Sequence, residues 1–329
     1  MPETRFEKPG VALIIFILVL LLPQVCLSED VFLTWLNDLK TEAMTKGISG
    51  STLDTAFAGL QPIQRVIELD RNQPEFTKDF QRYMKLTVTE SRIKRGQWLL
   101  VKHRVLLDTI RDEYGVQPRF LVAIWGLETN FGRNTGTFPI IGAVATLAYD
   151  TRRSRFFRAE LLNALKILDE GHITISEMLG SWAGAMGQVQ FMPSSFVRFA
   201  VDEDKDGRKD IWHSLPDVFA SAANFLSSNG WDPDFIWGRE GTLPPGWNGD
   251  IAGLDTKKPL AAWQHIGIRR ANGEDLPDAD IPASLIQPSG SNGPSFLVYR
   301  NYRAIMRWNP SHLYALAVCR LADRLAGLE

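Results

Sequence analysis

Cysteine and histidine are scarce in this chain of 329 residues, which contains two cysteines and five histidines. His172, His213 and His265 are scattered, without the spacing of metal ligands or of a catalytic triad. A zinc enzyme and a Ser-His-Asp hydrolase are therefore not supported. Cys319 lies in an apolar run and is expected to be a buried, inert thiol.

An excess of charge of one sign is also missing. The 36 basic residues stand against 38 acidic ones, which gives a formal net charge of −2. No basic tract is long enough to follow a phosphate backbone, so no nucleic-acid partner is expected. What the chain does have is an ordinary hydrophobic fraction of 45%, with 10 Trp and 18 Phe that suit both a core and stacking on sugar rings.

Long apolar runs are absent except near the N-terminus, at residues 11–22. Basic residues precede this run and small residues follow it, which predicts a cleaved signal peptide at 1–28 and export to the periplasm. A membrane anchor is the alternative, but the run is shorter than the about 20 residues that span a bilayer. A lipoprotein anchored through Cys26 is not expected, because the bulky Val25 precedes that cysteine.

The remaining chain is predicted to be mainly α, in the α+β class, with four parts. Apolar residues at helical spacing indicate an N-terminal helical subdomain at 29–115 and a helical core at 116–231, in which Ser214 caps a helix. Residues 232–295 are rich in Pro and Gly and contain short apolar stretches, which predicts a small β-containing subdomain. Residues 296–329 are predicted to return to the core through a last strand and a helix.

Within the core, a predicted helix that starts near Pro118 and closes at Gly132 carries one carboxylate on an apolar face. The residues that share this face are Leu121, Ile124, Trp125, Glu128 and Phe131. Burial disfavours the charged form of a carboxyl group and raises its pKa, as a general acid near neutral pH requires. Glu128 is therefore a candidate acid, and a structural glutamate with an arginine or backbone partner is the alternative.

Several segments carry a family resemblance. Residues 126–132 read Gly-Leu-Glu-Thr-Asn-Phe-Gly, and residues 181–195 read Ser-Trp-Ala-Gly-Ala-Met-Gly-Gln-Val-Gln-Phe-Met-Pro-Ser-Ser. An acidic loop follows at 202–210, and Arg-Trp-Asn begins a last segment at 307–314. In this order, over roughly residues 30–325, the chain resembles the membrane-bound lytic transglycosylase B family of murein-degrading enzymes.

The resemblance implies a lysozyme-like helical core with an N-terminal helical subdomain and a small β insertion. It also implies cleavage of peptidoglycan between N-acetylmuramic acid (MurNAc) and N-acetylglucosamine (GlcNAc) without water, which leaves a 1,6-anhydromuramoyl end. Glu128 would act first as acid and then as base, while the 2-acetamido group of the substrate stabilises the anomeric carbon. The expected partners are glycan strands and cell-wall synthesis or remodelling proteins, and the expected state is a monomer.

The resemblance further implies a set of substrate-binding positions, namely Ser181, Gln190, Phe191, Phe225, Trp308, Asn309 and Tyr314. Ser181 would bond the acetamido group, and Tyr314 would position polar groups near Glu128. Phe225 and Trp308 stand where this family commonly has tyrosine, so the hydrogen-bonding roles of those two positions are in question. The Gly- and Ala-rich stretch 181–187 also predicts close backbone packing.

The acidic loop 202–217 matches the start of an EF-hand calcium loop. The predicted ligands are Asp202, Asp204, Asp206, the carbonyl of Arg208, and Asp217. Position 12 is His213 instead of the usual glutamate, so another carboxylate must complete the shell. The resemblance assigns that place to Asp217, and Asp210 is a candidate through water. A structural Ca²⁺ is expected, with no cofactor for catalysis; a solvated acidic turn and a sodium site are the alternatives.

Two further functions are compatible with the residues. A muramidase would hydrolyse the same bond and needs a second carboxylate, for which Asp150 and Glu160 are the nearest candidates. A non-catalytic glycan-binding protein of the envelope is the other alternative, but the intact segment around Glu128 argues against it.

Overall fold

The structure, a computed structural model, describes residues 25–72, 79–290 and 293–328. The apolar run 11–22 of the predicted signal peptide lies outside the described residues. Within the ranges described, no helix is both long and apolar enough to cross a membrane.

Helices make up most of the described chain. In chain order they are α1 (Val25–Thr45), α2 (Gly50–Phe57), α3 (Gln64–Arg71), α4 (Phe80–Thr87), α5 (Glu90–Lys102), α6 (Arg104–Tyr114), α7 (Pro118–Thr129), α8 (Ile140–Tyr149), α9 (Ser154–Asp169), α10 (Pro193–Phe199), α11 (Leu215–Ser228), α12 (Leu260–His265), α13 (Arg300–Trp308) and α14 (His312–Leu325). The strands are β1 (Phe138–Pro139), β2 (Leu179–Gly180), β3 (Gly238–Thr242), β4 (Lys258–Pro259), β5 (Arg269–Arg270), β6 (Pro282–Ile286) and β7 (Ser295–Val298). The mainly α, α+β prediction is confirmed.

Helix ends follow the capping residues that the sequence supplies. Pro118 occupies the first turn of α7, where its missing N–H costs no helical bond. Ser214 caps α11 and accepts a hydrogen bond from the backbone N–H of Asp217, as predicted. That helix is followed by Asn229 and by Gly230, whose φ of 89° ends it.

The helical core is built around α7, which is buried along most of its length. Helix α14 packs against α7 on one side and α5 on another, so residues far apart in the sequence meet at the end of α7. Helices α8 and α9 form a second packed pair in the same core. Cys319 on α14 is fully buried, as predicted.

A five-stranded antiparallel sheet lies beside this core, in the order β4-β6-β7-β3-β5. It has a small apolar core of its own, which includes Leu260, Trp263, Leu285 and Leu297. The sheet runs past the predicted limit of the β-containing segment at residue 295, because β7 ends at Val298. Helix α13 starts directly afterwards and returns the chain to the helical core.

Candidate active site

Helix α7 ends one turn earlier than predicted, at Thr129 instead of Gly132. Asn130 and Phe131 already have left-handed backbones, with φ of 52° and 61°. The prediction that Phe131 continues the helical face is therefore wrong, because the chain has left the helix. Its ring nevertheless packs edge-on against Trp125, with ring centroids 5.6 Å apart.

The end of α7 is tied to the Gly- and Ala-rich segment by hydrogen bonds. Thr129 donates from Oγ1 to the carbonyl of Gln188 at 2.8 Å, and Trp125 donates from Nε1 to Gln188 Oε1 at 2.9 Å. The amide of Gln188 in turn donates to the carbonyl of Trp212 at 2.8 Å. These bonds fix the last turn of α7, which carries Glu128, against the segment that follows residue 181.

The backbone packs closely in that segment, as predicted. Gly187 has φ +65°, and a Cβ there would lie 2.6 Å from the carbonyl oxygen of Ile211. A Cβ at Gly180 would lie 2.2 Å from the carbonyl oxygen of Ala185. Only glycine fits such approaches, since a backbone carbonyl cannot move aside as a flexible side chain can.

Glu128 receives two hydrogen bonds, and both reach the same oxygen. Tyr314 donates from its hydroxyl to Oε1 at 2.6 Å, and Trp308 donates from Nε1 to Oε1 at 2.8 Å. Among the described residues, no protein donor bonds the other oxygen, Oε2. Burial raises the pKa of the Glu128 carboxyl, and the bonds from Tyr314 and Trp308 oppose this rise without cancelling it.

Trp308 is held in place by an aromatic cluster. Its ring centroid lies 5.2 Å from that of Phe191 and 4.9 Å from that of Phe225, and Phe199 packs beyond Phe225. Phe191 and Phe225 are themselves buried, so in this conformation they form the support beneath the indole. Their contact with sugar stays a prediction.

The structure shows that position 308 still provides a hydrogen-bond donor although tryptophan replaces the tyrosine that is common in the family. Trp308 has no phenol hydroxyl, yet its indole N–H takes over as a donor to Glu128. At position 225 the phenylalanine has no polar side-chain atom, so it offers no hydrogen bond.

Tyr83 on α4 also belongs to the site and was missed by sequence reasoning. The negative charge of Glu128 contributes to the raised pKa of Tyr83, after burial as the main cause. Tyr83 likewise contributes to the raised pKa of Tyr314, for which burial is again the main cause. Nothing in the sequence around Tyr83 marks it, because it reaches the acid only through the packing of α4 against α14.

Three further residues predicted to bind substrate already form hydrogen bonds with backbone groups of the protein. Ser181 Oγ accepts a bond from the N–H of Ala185 at 2.9 Å. Gln190, with φ 53°, donates from its amide to the carbonyls of Thr135 and Gly187. Asn309 accepts the N–H of Ser311 through Oδ1.

Neither candidate for a second catalytic carboxylate is placed for catalysis. Glu160 is buried and accepts bonds from both the N–H and the hydroxyl of Ser194, at the start of α10. Asp150 pairs with Arg71 at 3.2 Å. Among the described residues, no other carboxylate influences the pKa of Glu128.

Comparisons with known proteins agree with this geometry. A family model described as a transglycosylase SLT domain matches residues 31–323. The chain belongs to this transglycosylase family. The lytic transglycosylase activity and the lysozyme-like fold that the resemblance implied are thereby confirmed.

Two bacteria supply the relatives that illustrate the family. Membrane-bound lytic murein transglycosylase B of Escherichia coli K12 is 31% identical over 258 residues, which cover 74% of this chain and 67% of that protein. SltB3 from Pseudomonas aeruginosa, whose crystal structure was solved in complex with NAG-anhNAM-pentapeptide, has 45% sequence identity to this chain and a TM-score of 0.87. The match covers 90% of this chain and 80% of the SltB3 chain. E. coli Slt35 in complex with calcium is 28% identical, with a TM-score of 0.77, over 88% and 92% of the two chains.

The acidic loop between α10 and α11 brings three carboxylates together. Asp202, Asp204 and Asp217 each offer an oxygen within 4.8 Å of the others. Asp206 is not part of this group, and it accepts the N–H of Arg208 at 2.8 Å. A hard cation prefers such oxygen ligands, so the donor set suits Ca²⁺.

Asp217, in the first turn of α11, holds the backbone of this loop. It is fully buried on α11, and its two oxygens accept the N–H groups of Glu203 and Asp210, each at 2.7 Å. Burial raises the pKa of its carboxyl, and these backbone bonds oppose the rise. Asp217 therefore organises the loop backbone as well as contributing to the acidic group.

Proposed function

We propose that this transglycosylase cleaves the β-1,4 bond between MurNAc and GlcNAc in peptidoglycan and leaves 1,6-anhydromuramoyl ends, with Glu128 as both acid and base. The observation that carries the proposal is the partly buried Glu128 carboxyl with its raised pKa. Among the described residues, one of its oxygens has no protein donor and no second carboxylate contributes to its pKa. The glycan fragment bound to the P. aeruginosa relative, which contains an anhydro sugar, supports this choice of substrate.

In the first step the proton on Glu128 Oε2 moves to the glycosidic oxygen. The bond from the anomeric carbon to that oxygen breaks, and its electron pair stays on the oxygen, which leaves as the 4-hydroxyl of GlcNAc. The acetamido oxygen of MurNAc bonds the anomeric carbon in its place. The raised pKa of Glu128 keeps the proton available for this transfer near neutral pH.

In the second step the Glu128 carboxylate takes the proton of the MurNAc 6-hydroxyl. The 6-oxygen then bonds the anomeric carbon and releases the acetamido oxygen, which closes the 1,6-anhydro ring. Glu128 is protonated again, so the cycle needs neither water nor a second carboxylate. Tyr314 and Trp308 hold the carboxylate between the two steps by bonding its Oε1.

The roles of the remaining polar residues are part of the proposal. The hydroxyl of Ser181 accepts one bond from the backbone of Ala185, which leaves its own proton available to bond the acetamido group. Gln190 and Asn309 are only partly buried and belong to segments next to those that hold Glu128 and Trp308. Their proposed role is to bond the sugars on either side of the scissile bond.

A structural Ca²⁺ is also part of the proposal. Asp202, Asp204 and Asp217 would hold the ion, and it would offset the mutual repulsion of these carboxylates. The calcium complex of the E. coli relative supports the choice of ion. Arg208 and Asp206 remain proposed ligands that lie outside the acidic group.

The proposed place of action is the periplasm. Peptidoglycan lies outside the cytoplasmic membrane, so the activity requires export, and the signal peptide predicted at 1–28 would provide it. The E. coli relative is named as membrane-bound. A monomeric state and partners among wall-remodelling proteins stay predictions.

Mass spectrometry of purified sacculi digested with the protein tests the reaction. Anhydromuramoyl ends are expected from the wild type, and reducing ends would instead show a muramidase. Glu128→Gln is expected to release no fragments, since an amide cannot act as the acid. This variant should melt no lower than the wild type, because a carboxyl whose pKa is raised in the folded state destabilises that state above its unfolded pKa. A Gln variant with full turnover would refute the assignment.

A further inference from the structure

A polar pocket of about 330 Å³ lies beside the catalytic helix. It is formed by the start of α5 and by the turn that follows α7. Three arginines line it, Arg92 and Arg95 from α5 and Arg133 from the turn, together with Asn130 and Asn134. The lining contains no acidic residue, so it presents a concentration of positive charge and hydrogen-bond donors.

Two of these guanidinium groups have donors without acceptors. The Nε atoms of Arg92 and Arg95 are buried and have no hydrogen-bond partner among the described residues. Arg92 donates from Nη1 to the carbonyl of Thr87, and that contact leaves Nε unsatisfied. In the described parts of the chain, no carboxylate pairs with Arg92, Arg95 or Arg133. These two Nε atoms are too buried for a ligand in the pocket to reach. The three guanidinium groups that line the pocket nevertheless have no carboxylate in the described chain to balance their charge, so the pocket fits an anion supplied from outside the protein.

The pocket is close to the catalytic carboxyl. Asn130 is two residues beyond Glu128, at the point where the chain leaves α7. The charge of Arg92 acts on Tyr83, and Tyr83 also feels the charge of Glu128. The pocket therefore lies next to the end of α7 that carries Glu128.

We propose that this pocket binds a carboxylate of the peptide stem that MurNAc carries. The proposal rests on the proposed function, and it names the part of the substrate that the pocket recognises. The alternating sugars carry no charge, and the lactyl carboxyl of MurNAc is consumed in the amide bond to the stem. The stem is therefore the part of a glycan strand that brings carboxylates, and guanidinium groups bind carboxylates through paired hydrogen bonds.

The test compares strands that carry stem peptides with strands from which an amidase has removed them. The quantity measured is the ratio of kcat/KM for peptide-bearing over peptide-free strands. Arg95→Gln is expected to lower this ratio about tenfold, mainly through KM, since it removes one charge-assisted hydrogen bond. Arg133→Gln provides a second variant, because its exposed side chain carries little risk to folding.

The matched control is Arg104→Gln on α6. Arg104 is exposed and pairs with Asp108, away from the pocket, so the wild-type ratio is expected to persist. If Arg95→Gln and Arg133→Gln both keep the wild-type ratio, or slow both substrates equally, the proposal is overturned.

A binding measurement separates the failure of this proposal from the failure of the proposed function. Isothermal titration of Glu128→Gln with free stem pentapeptide needs no turnover, and binding is expected to weaken when the carboxylates of the peptide are amidated. Equal binding of the amidated and the acidic peptide would overturn the assignment of the pocket even if the glycan is cleaved.

Discussion

Replacing Tyr314 by phenylalanine removes one hydroxyl and leaves the buried ring in place. The hydroxyl donates to Glu128 Oε1 at 2.6 Å, and this bond lowers the pKa of Glu128 against the larger effect of burial. Its removal therefore raises the pKa of the acid further. In the proposed mechanism the free enzyme needs a protonated Glu128, so the wild-type kcat/KM is expected to fall as pH rises through this pKa. In the variant the fall is expected at higher pH.

The size of the shift follows from the strength of the lost bond. A hydrogen bond to a charged acceptor contributes about 1.5–3 kcal/mol, and one pKa unit corresponds to about 1.36 kcal/mol. Trp308 continues to donate to the same oxygen at 2.8 Å and takes over part of the stabilisation. The expected displacement of the falling limb is therefore about one pH unit, near the low end of that range.

The assay is the pH profile of kcat/KM for the release of anhydromuropeptides from purified glycan strands. Tyr302→Phe is the matched control, since Tyr302 is a buried tyrosine on α13 whose hydroxyl contacts His312 at 2.9 Å instead of Glu128. Its profile is expected to keep the wild-type limb. A limb that stays in place in Tyr314→Phe, or moves to lower pH, would refute the role of this hydrogen bond.

Two further predictions concern the metal loop and the close backbone packing. Calcium is expected to raise the melting temperature of the wild type. Asp204→Asn should weaken this response more than Asp206→Asn, because only Asp204 of these two belongs to the acidic group. A wild type whose melting temperature does not respond to calcium would contradict the proposed ion. Gly187→Ala is expected to destabilise the fold by about 3 kcal/mol in denaturant unfolding, from left-handed strain together with the clash on Ile211. Gly171→Ala, with a similar φ of +76° and open space around it, should cost only about 1 kcal/mol, and equal losses would show that the close approach is not the cause.

The sequence was sufficient for the parts of the fold that local chemistry decides. The periodicity around α7, the cap at Ser214 and the Pro- and Gly-rich composition before β7 each predicted the right kind of element. The position at which α7 ends was not predictable in this way. Asn130 and Phe131 adopt left-handed backbones beside Thr129, which bonds the distant Gln188, and this long-range contact leaves no mark in the local sequence.

The same distinction between local sequence pattern and tertiary packing applies to the candidate site. Glu128 stands out in the sequence because a carboxylate on an apolar face is unusual. The resemblance to a known family was needed to name Trp308 and Tyr314, which lie about 180 residues further on. Tyr83 was missed, and so was the arginine pocket, because each depends on how α4 and α5 pack against α7 and α14.

The tryptophan at position 308 affects how a single carboxyl would serve as both acid and base in the proposed mechanism. An indole N–H can only donate, whereas a phenol can both donate and accept. Trp308 and Tyr314 both donate to Oε1, so a proton on that oxygen would point towards the hydrogen of the indole. Of these two neighbours, only the phenol oxygen of Tyr314 could accept a hydrogen bond from that proton. The proton is therefore confined to Oε2, the oxygen that no described protein donor bonds. The indole in this way makes the two oxygens of Glu128 different: the protein bonds Oε1, and Oε2 is the oxygen that would contact the sugar in the proposed mechanism.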